Sequence, residues 1–84
     1  MMTEKEIRAE LEGEEEARIK KPNVYTGSFM RYSYAWTDAL KFALGHTEEE
    51  VREAYRRAAK GDLDNSLSDA GYYKALRMVL REAK

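Results

Sequence analysis

The stretch that decides the fold is residues 28–45, SFMRYSYAWTDALKFALG, which carries the clearest helical pattern in the chain. At about 100° per residue, its main apolar side chains fall within one arc. That arc consists of Phe29, Tyr32, Trp36, Leu40, Ala43 and Leu44. A continuous apolar arc predicts a helix that packs against its neighbours. We therefore expect this segment to be the central helix, with Ser28 as its N-cap and Trp36 buried in the core.

Three further helices are indicated by start and stop signals. Each start signal is a hydroxyl residue followed three positions later by an acid, which together can cap a helix N-terminus. The pairs are Thr3 with Glu6, Thr47 with Glu50, and Ser66 with Asp69. Gly61 is the predicted stop of the third helix, in a left-handed conformation. The predicted helices are Glu4–Lys20, Glu48–Lys60 and a last segment from about Asp69 onward.

The first helix differs from the others in its charge and its poor apolar stripe. Residues 1–16 carry seven acids against two cations, and only Ile7 and Leu11 share an apolar face. A chain of 84 residues has room for one core. We predict a single all-α domain, a small helical bundle of three packed helices (28–84) plus a more loosely attached acidic N-terminal helix (1–21). This first helix is expected to swing freely or to lie across a basic surface.

The composition excludes several classes of function. The chain has no Cys, so it carries no disulfide, zinc–thiolate site or thiol nucleophile. Its 15 cations and 16 anions nearly cancel, which disfavours general attraction to nucleic acid or anionic lipid. The first residues resemble no signal peptide, and no stretch has the length and hydropathy of a membrane span. We expect a cytoplasmic protein that does not bind a membrane.

No group of residues indicates catalysis, a metal site or a cofactor site. His46 is the single His, and without a second His or a Cys it forms neither a catalytic dyad nor a metal centre. The sequence contains no glycine-rich phosphate-binding motif and no nucleophile elbow. We therefore expect a non-enzymatic protein without a cofactor, and we interpret His46 as a residue of the turn between two helices.

A cationic stripe on the last helix is the most distinctive surface feature of the sequence. Its cations fall within a narrow arc bordered by a tyrosine, and further cations follow on the third helix. The stripe consists of Tyr73, Lys74, Arg77, Arg81 and Lys84 on the last helix, with Arg52, Arg56 and Lys60 on the third. We interpret it as the candidate partner-binding surface, with a merely solvated face as the alternative.

The aromatic residues are concentrated in one region. Six of the nine lie between Tyr25 and Phe42, beside basic residues, as in proteins that stack single-stranded nucleic acid. Helical spacing favours a place in the core for Phe29, Tyr32 and Trp36, whose rings share one face. Tyr25 and Tyr34 lie outside that stripe and are expected to be surface residues.

Two functions are compatible with these patterns. The first is a non-enzymatic interaction protein that docks through a helical face onto a protein partner or onto itself. The second is a small nucleic-acid-associated regulator of the phage or mobile-element type, acting through the cationic stripe. A pI of 5.9 favours the first function. Apolar residues at the edge of the central helix, Phe42, Ala35 and Met30, lead us to expect a homodimer.

One local resemblance to a known family is present. The run TEEEVREAYRRAAK at 47–60 resembles helix II of the J-domain co-chaperones, and YYKAL at 72–76 resembles their helix III. These runs cover less than half of the chain. The His-Pro-Asp tripeptide of that family is missing, because Lys60, Gly61 and Asp62 stand in its place. The resemblance therefore implies no chaperone function for this chain.

Overall fold

Four α-helices account for most of the chain. The computed structural model describes residues 1–60 and 67–81, and for residues 60 and 67–69 it describes the backbone alone. The helices are α1 (Glu4–Lys20), α2 (Gly27–Leu44), α3 (Glu48–Lys60) and α4 (Leu67–Leu80), and the described residues include no strand. The predicted all-α bundle is confirmed. The bounds of α1 and α3 are those predicted, whereas α4 begins slightly earlier than expected.

Two of the predicted capping boxes hold the starts of α1 and α3. The Glu6 amide donates to Thr3 Oγ1 at 3.2 Å, and the Thr3 amide donates to Glu6 Oε1 at 2.8 Å. In the same way, the Glu50 amide donates to Thr47 Oγ1 at 3.2 Å, and the Thr47 amide donates to Glu50 Oε1 at 2.9 Å. Each box satisfies two amides that a helix N-terminus leaves without partners. The third start signal, at Ser66, and the expected left-handed Gly61 lie outside the described residues.

The start of α2 differs from the prediction, because Thr26 and not Ser28 is its N-cap. Gly27 has a φ of 56°. That left-handed value costs a residue with a Cβ about 1–2 kcal/mol. The turn before Gly27 directs the Tyr25 ring inward, where it is 8% exposed and stacks on Phe29 with ring centroids 4.8 Å apart. The expectation that Tyr25 is a surface residue is therefore wrong, since its ring gains more from burial than from solvent.

The core is centred on the contact between α2 and α4, which is the most extensive helix pair among the described residues. Gly71 of α4 lies so close to α2 that a Cβ there would be 2.5 Å from the Tyr32 carbonyl oxygen and 3.4 Å from Ala35 Cβ. We call this contact the Gly71 crossing. The core residues beside it are small or aliphatic: Ile7, Ala39, Leu40, Ala43, Val51, Ala75, Leu76, Val79 and Leu80.

The aromatic stripe of α2 lies at the edge of this core rather than inside it. Phe29 is 44% exposed, while Tyr32 and Trp36 are half-buried, with ring centroids 6.3 Å apart. Trp36 packs against the core from its rim, so the prediction of a fully buried Trp36 is wrong. Because α2 and α4 meet backbone to backbone at the Gly71 crossing, no ring fits between them.

The first helix contributes to the core despite its poor apolar stripe. Ile7 is 1% exposed and belongs to the core cluster, and Leu11 packs against that cluster. The first half of α1 is therefore held by apolar burial, worth about 1.5–3 kcal/mol for a side chain such as Ile7. Its second half contacts α2 mainly through polar side chains.

The residues on which the homodimer prediction was based are largely occupied within the chain. Phe42 packs against the core, Ala35 lies at the Gly71 crossing, and Met30 is half-buried. The exposed large apolar side chains of the described residues are Met1, Ile19, Val24, Phe29 and Tyr34. These five side chains, none of which was proposed from the sequence, are therefore better candidates for a contact between two copies of the chain.

The Gly71 crossing predicts opposite effects for two glycine-to-alanine substitutions. Gly13 is exposed within α1, and a Cβ there would have nothing within 4 Å, so Gly13→Ala should stabilise the protein. The expected gain is about 0.5–1 kcal/mol from helix propensity. Gly71→Ala should destabilise the protein by about 1–3 kcal/mol, because backbone must move to admit the methyl group. Urea unfolding followed by circular dichroism measures both changes, and a stabilising Gly71→Ala would contradict the close crossing.

Candidate functional site

On α4, the residues of the cationic stripe differ in their surroundings, since some pack within the protein and others face solvent. The Tyr73 ring stacks on Tyr55 of α3 at a centroid distance of 5.2 Å, and their hydroxyls are 3.4 Å apart. Lys74 is exposed and Arg77 is half-buried. Neither cation forms an ion pair with another described residue. Tyr73 is therefore a packing residue between α3 and α4, and Lys84 lies outside the described residues.

The cations on α3 face carboxylates of their own helix. Arg52 Nη2 lies 3.1 Å from Glu48 Oε2, and Arg56 Nη2 lies 2.9 Å from Glu53 Oε1. The Arg56 guanidinium, and after it that of Arg57, lowers the pKa of the Glu53 carboxyl. The side chain of Lys60 is not among those described. The α3 half of the stripe is thus a surface of mixed charge, which weakens its attraction for phosphate.

Arg81 is held by the first helix. Its guanidinium Nη2 lies 2.6 Å from Glu6 Oε1, and its backbone has a φ of 59°, a left-handed value that is uncommon outside glycine. The Arg81 amide donates to the Met78 carbonyl at 2.9 Å, and the Met2 amide donates to the Val79 carbonyl at 2.8 Å. The acidic first helix therefore lies against the basic end of α4, one of the two placements expected from its charge.

A buried polar contact joins the second half of α1 to α2. Ser33 is 1% exposed, and its hydroxyl donates to Glu14 Oε2 and accepts from Arg18 Nη1, both at 2.7 Å. The Arg18 guanidinium also lies over the Tyr34 ring, 4.1 Å from its centroid. We call Glu14, Arg18 and Ser33 the serine bridge. The sequence analysis missed it, because nothing local to α1 shows that Ser33 lies opposite.

Two tyrosines beside the serine bridge are affected by its carboxylate. Burial, and then the charge of Glu14, raises the pKa of Tyr25. The same causes in the same order raise the pKa of Tyr32. Both phenols therefore stay protonated well above neutral pH, and neither is suited to act as a base. The serine bridge connects two helices and has no exposed nucleophile, which favours a structural role for it.

An open groove lies between α3 and the end of α2. The α3 helix packs against α4 and makes only sparse contact with α2, which leaves a volume of about 620 Å³ beside them. The groove is lined by Phe42, His46, Glu50, Glu53, Ala54, Arg57, Ala58 and Tyr72. Its floor is apolar and its rim is charged, a composition typical of binding sites of this size. No sequence pattern indicated the groove, because it results from the packing of α3 against α4 rather than against α2.

His46 lies in the turn between α2 and α3, as expected, and also lines the groove. Its ring stacks on Phe42 with centroids 3.9 Å apart, and its Nδ1 lies 2.7 Å from the Phe42 carbonyl oxygen. Because a carbonyl oxygen can only accept, Nδ1 carries the hydrogen in this contact. The imidazole thus covers the end of α2 and extends the apolar surface of Phe42 toward the groove.

The described residues form neither a metal site nor a membrane-spanning helix. Within residues 1–60 and 67–81, no three His, Asp or Glu side chains are grouped as a metal ion requires. Over the same residues, no helix has both the length and the hydropathy that crossing a bilayer demands.

The serine bridge predicts unequal effects for two serine-to-alanine substitutions. Ser33→Ala leaves Glu14 and Arg18 without their shared hydroxyl partner at a buried position. The expected loss in unfolding free energy is about 1–3 kcal/mol. Ser28→Ala changes an exposed residue of the same helix and should change stability by less than about 0.5 kcal/mol. Chemical unfolding of the two variants tests the difference, and equal effects would contradict the bridge.

The contact between Glu6 and Arg81 predicts a pH-dependent contribution to stability. The Thr3 amide, and then Arg81, lowers the pKa of the Glu6 carboxyl in the folded protein. The contribution of Glu6 is therefore complete above the ordinary carboxyl pKa and is lost as the pH falls through the lowered value. Glu6→Gln should melt below the wild type near about pH 7 and approach it near about pH 2. A constant difference in melting temperature across this range would contradict the assignment.

Comparison of the chain with protein-family models, with curated proteins and with solved structures finds no match. The local resemblance of residues 47–60 to a J-domain helix is not accompanied by a match to a family model. The function has to be inferred from the surfaces of the chain itself, and the groove and the cationic stripe are the two candidates.

Proposed function

We propose that the protein is a non-enzymatic interaction protein that docks onto a protein partner in the cytoplasm through the groove beside α3. The observation that carries the proposal is the groove itself, with about 620 Å³ of open volume over an apolar floor. Ala54 and Ala58 lie one helical turn apart on that floor, so a partner side chain can approach the α3 backbone closely. Grooves of this kind bind the apolar face of a helix or an extended segment.

The groove also has the polar groups that orient a partner. Glu50 and Glu53 lie on its rim nearer the start of α3, and Arg57 follows one turn later. Because Arg57 Nε and Glu53 Oε2 are paired at 3.3 Å, Glu50 is the charge left for a partner, and a cation on the partner segment would fix its orientation at this end of the groove. The apolar floor supplies the affinity and these charges supply the specificity.

The alternative function is binding of nucleic acid through the cationic stripe. Lys74 and Arg77 favour it, because neither has an ion-pair partner among the described residues. Arg52, Arg56 and Arg81 disfavour it, because each faces a carboxylate within 3.1 Å. Phosphate would have to displace those carboxylates, so we propose protein binding first and keep nucleic acid as the second candidate.

Site-specific photocrosslinking tests the groove. A photoreactive benzoylphenylalanine replaces Ala58 on the groove floor, and in a control protein it replaces Ala59, the exposed neighbour that does not line the groove. In the cells that make the protein, position 58 should yield a discrete crosslinked protein, and position 59 should not. The product should disappear when Phe42 is also replaced by alanine. Identical products from both positions would contradict docking in the groove.

Salt dependence separates the two candidate functions. If four cations of the stripe contacted phosphates, affinity for labelled DNA or RNA would fall with a log–log salt slope of about −3 to −4. We expect no measurable change in fluorescence anisotropy with single- or double-stranded probes, even at low salt. Binding with the steep slope, abolished by changing Lys74 and Arg77 to glutamine, would favour the nucleic-acid function instead.

A further inference from the structure

A second apolar surface lies at the opposite end of α2 from the groove. Ile19, Val24 and Phe29 are 79%, 53% and 44% exposed, and they follow one another around the connection between α1 and α2. We call these three residues the corner patch. Phe29 and Phe42 stand near opposite ends of α2, about 20 Å apart along a helix that rises 1.5 Å per residue. The corner patch of a molecule therefore cannot reach its own groove.

The charged side chains that remain unpaired on the corner patch and on the groove have opposite signs. Of the four cations in residues 17–37, which contain the corner patch, Arg18 belongs to the serine bridge and Lys20 is paired with Glu16 at 3.0 Å, so Lys21 and Arg31 remain without an ion pair among the described residues. At the groove, Glu48 and Glu53 are paired with arginines of α3, so Glu49 and Glu50 at its mouth remain without an ion pair among the described residues. Lys21 and Glu49 are exposed and form no ion pair within the described part of the chain. Each surface thus combines apolar residues with a rim that complements the rim of the other.

We infer that the corner patch of one molecule docks into the groove of a second copy, in a head-to-tail contact. The inference deepens the proposed function, on which it rests, by naming a second copy of this chain as the occupant of the groove. Ile19 and Val24 supply the side chains that cover Phe42, Ala54 and Ala58. The lysines beside them face the acidic start of α3.

A symmetric dimer does not fit these surfaces. A twofold contact between two corner patches would bring together the unpaired cations of both copies, and a twofold contact between two grooves would bring together their unpaired acids. Only the unlike pair joins opposite charges. Because a head-to-tail contact leaves one patch and one groove unused on each pair, further copies can add to form a chain or a ring.

Two variants that each damage one surface test the contact by complementation. Ile19→Asp removes the corner patch and keeps the groove, whereas Ala58→Arg fills the groove and keeps the corner patch. For the wild type, sedimentation velocity should give a mass that rises with concentration to more than twice the 9.8 kDa of one chain. Each variant alone should give the mass of one chain. An equimolar mixture of the two variants should form a pair and stop there, because the pair has no intact patch or groove left.

Matched controls separate the contact from general effects of the substitutions. Ala9→Asp places the same acid at an exposed site of α1, and Ala59→Arg places the same cation beside the groove. Both controls should associate as the wild type does. A wild type that remains a monomer at high concentration, or a mixture that remains monomeric, would overturn the inference. So would self-association that stops at a dimer in the wild type and persists in Ile19→Asp.

Charge reversal provides a second test that leaves the fold unchanged. Lys21→Glu and Glu49→Lys alter exposed residues, and each alone should weaken self-association at least about tenfold, or about 1.4 kcal/mol. Mixing the two should restore part of the loss, since an acidic corner then meets a basic rim. If position 58 crosslinks to a different protein while the wild type stays monomeric, the proposed function stands and this inference falls. If neither occurs, both fall.

Discussion

The contact on which the rest of the structure depends is the approach of two backbones at the Gly71 crossing. A side chain at position 71 would meet the Tyr32 carbonyl, so α4 can lie this close to α2 only because glycine stands there. Ala39 of α2 and Ala75 of α4 are also small and fully buried members of the core. The short distance between the helices forces the large rings of α2 outward. The half-buried positions of Tyr32 and Trp36, which flank Ala35 in α2, are therefore consequences of one small residue on another helix.

The helices themselves could be predicted from the sequence because their signals are local. The caps at Thr3 and Thr47 involve residues three positions apart, and the bounds of α1 and α3 follow from them. Depth of burial was predicted less well. Periodicity indicates which side of a helix faces its neighbours, but it carries no information on how close those neighbours come. Trp36 was placed too deep for this reason, whereas Tyr25 was placed too shallow because it lies in the turn before α2, where helical periodicity does not apply.

The two candidate surfaces were also predictable from the sequence only in part. The cationic stripe was visible in the sequence because its residues in the last segment recur at helical spacing. Its ion pairs were visible only in part: Arg52 and Arg56 face acids within a turn of themselves, whereas Arg81 meets Glu6 from 75 positions away. The groove could not be predicted at all, since it is defined by the lean of α3 on α4 and not by any residue pattern.

The meeting of the first and last helices has a mechanical consequence. The Met2 amide is bonded to the Val79 carbonyl, and Glu6 is paired with Arg81, so residues near both ends of the described chain touch. A pulling force applied at positions 1 and 81 would load these two polar contacts directly, before it reached the packed α2–α4 pair. The hydrogen bond and the ion pair can break one after the other under a small force. At the Gly71 crossing, by contrast, many packed side chains would have to separate at once. Under tension between these two positions, the contacts between the start of α1 and the end of α4 are thus the first to carry the load.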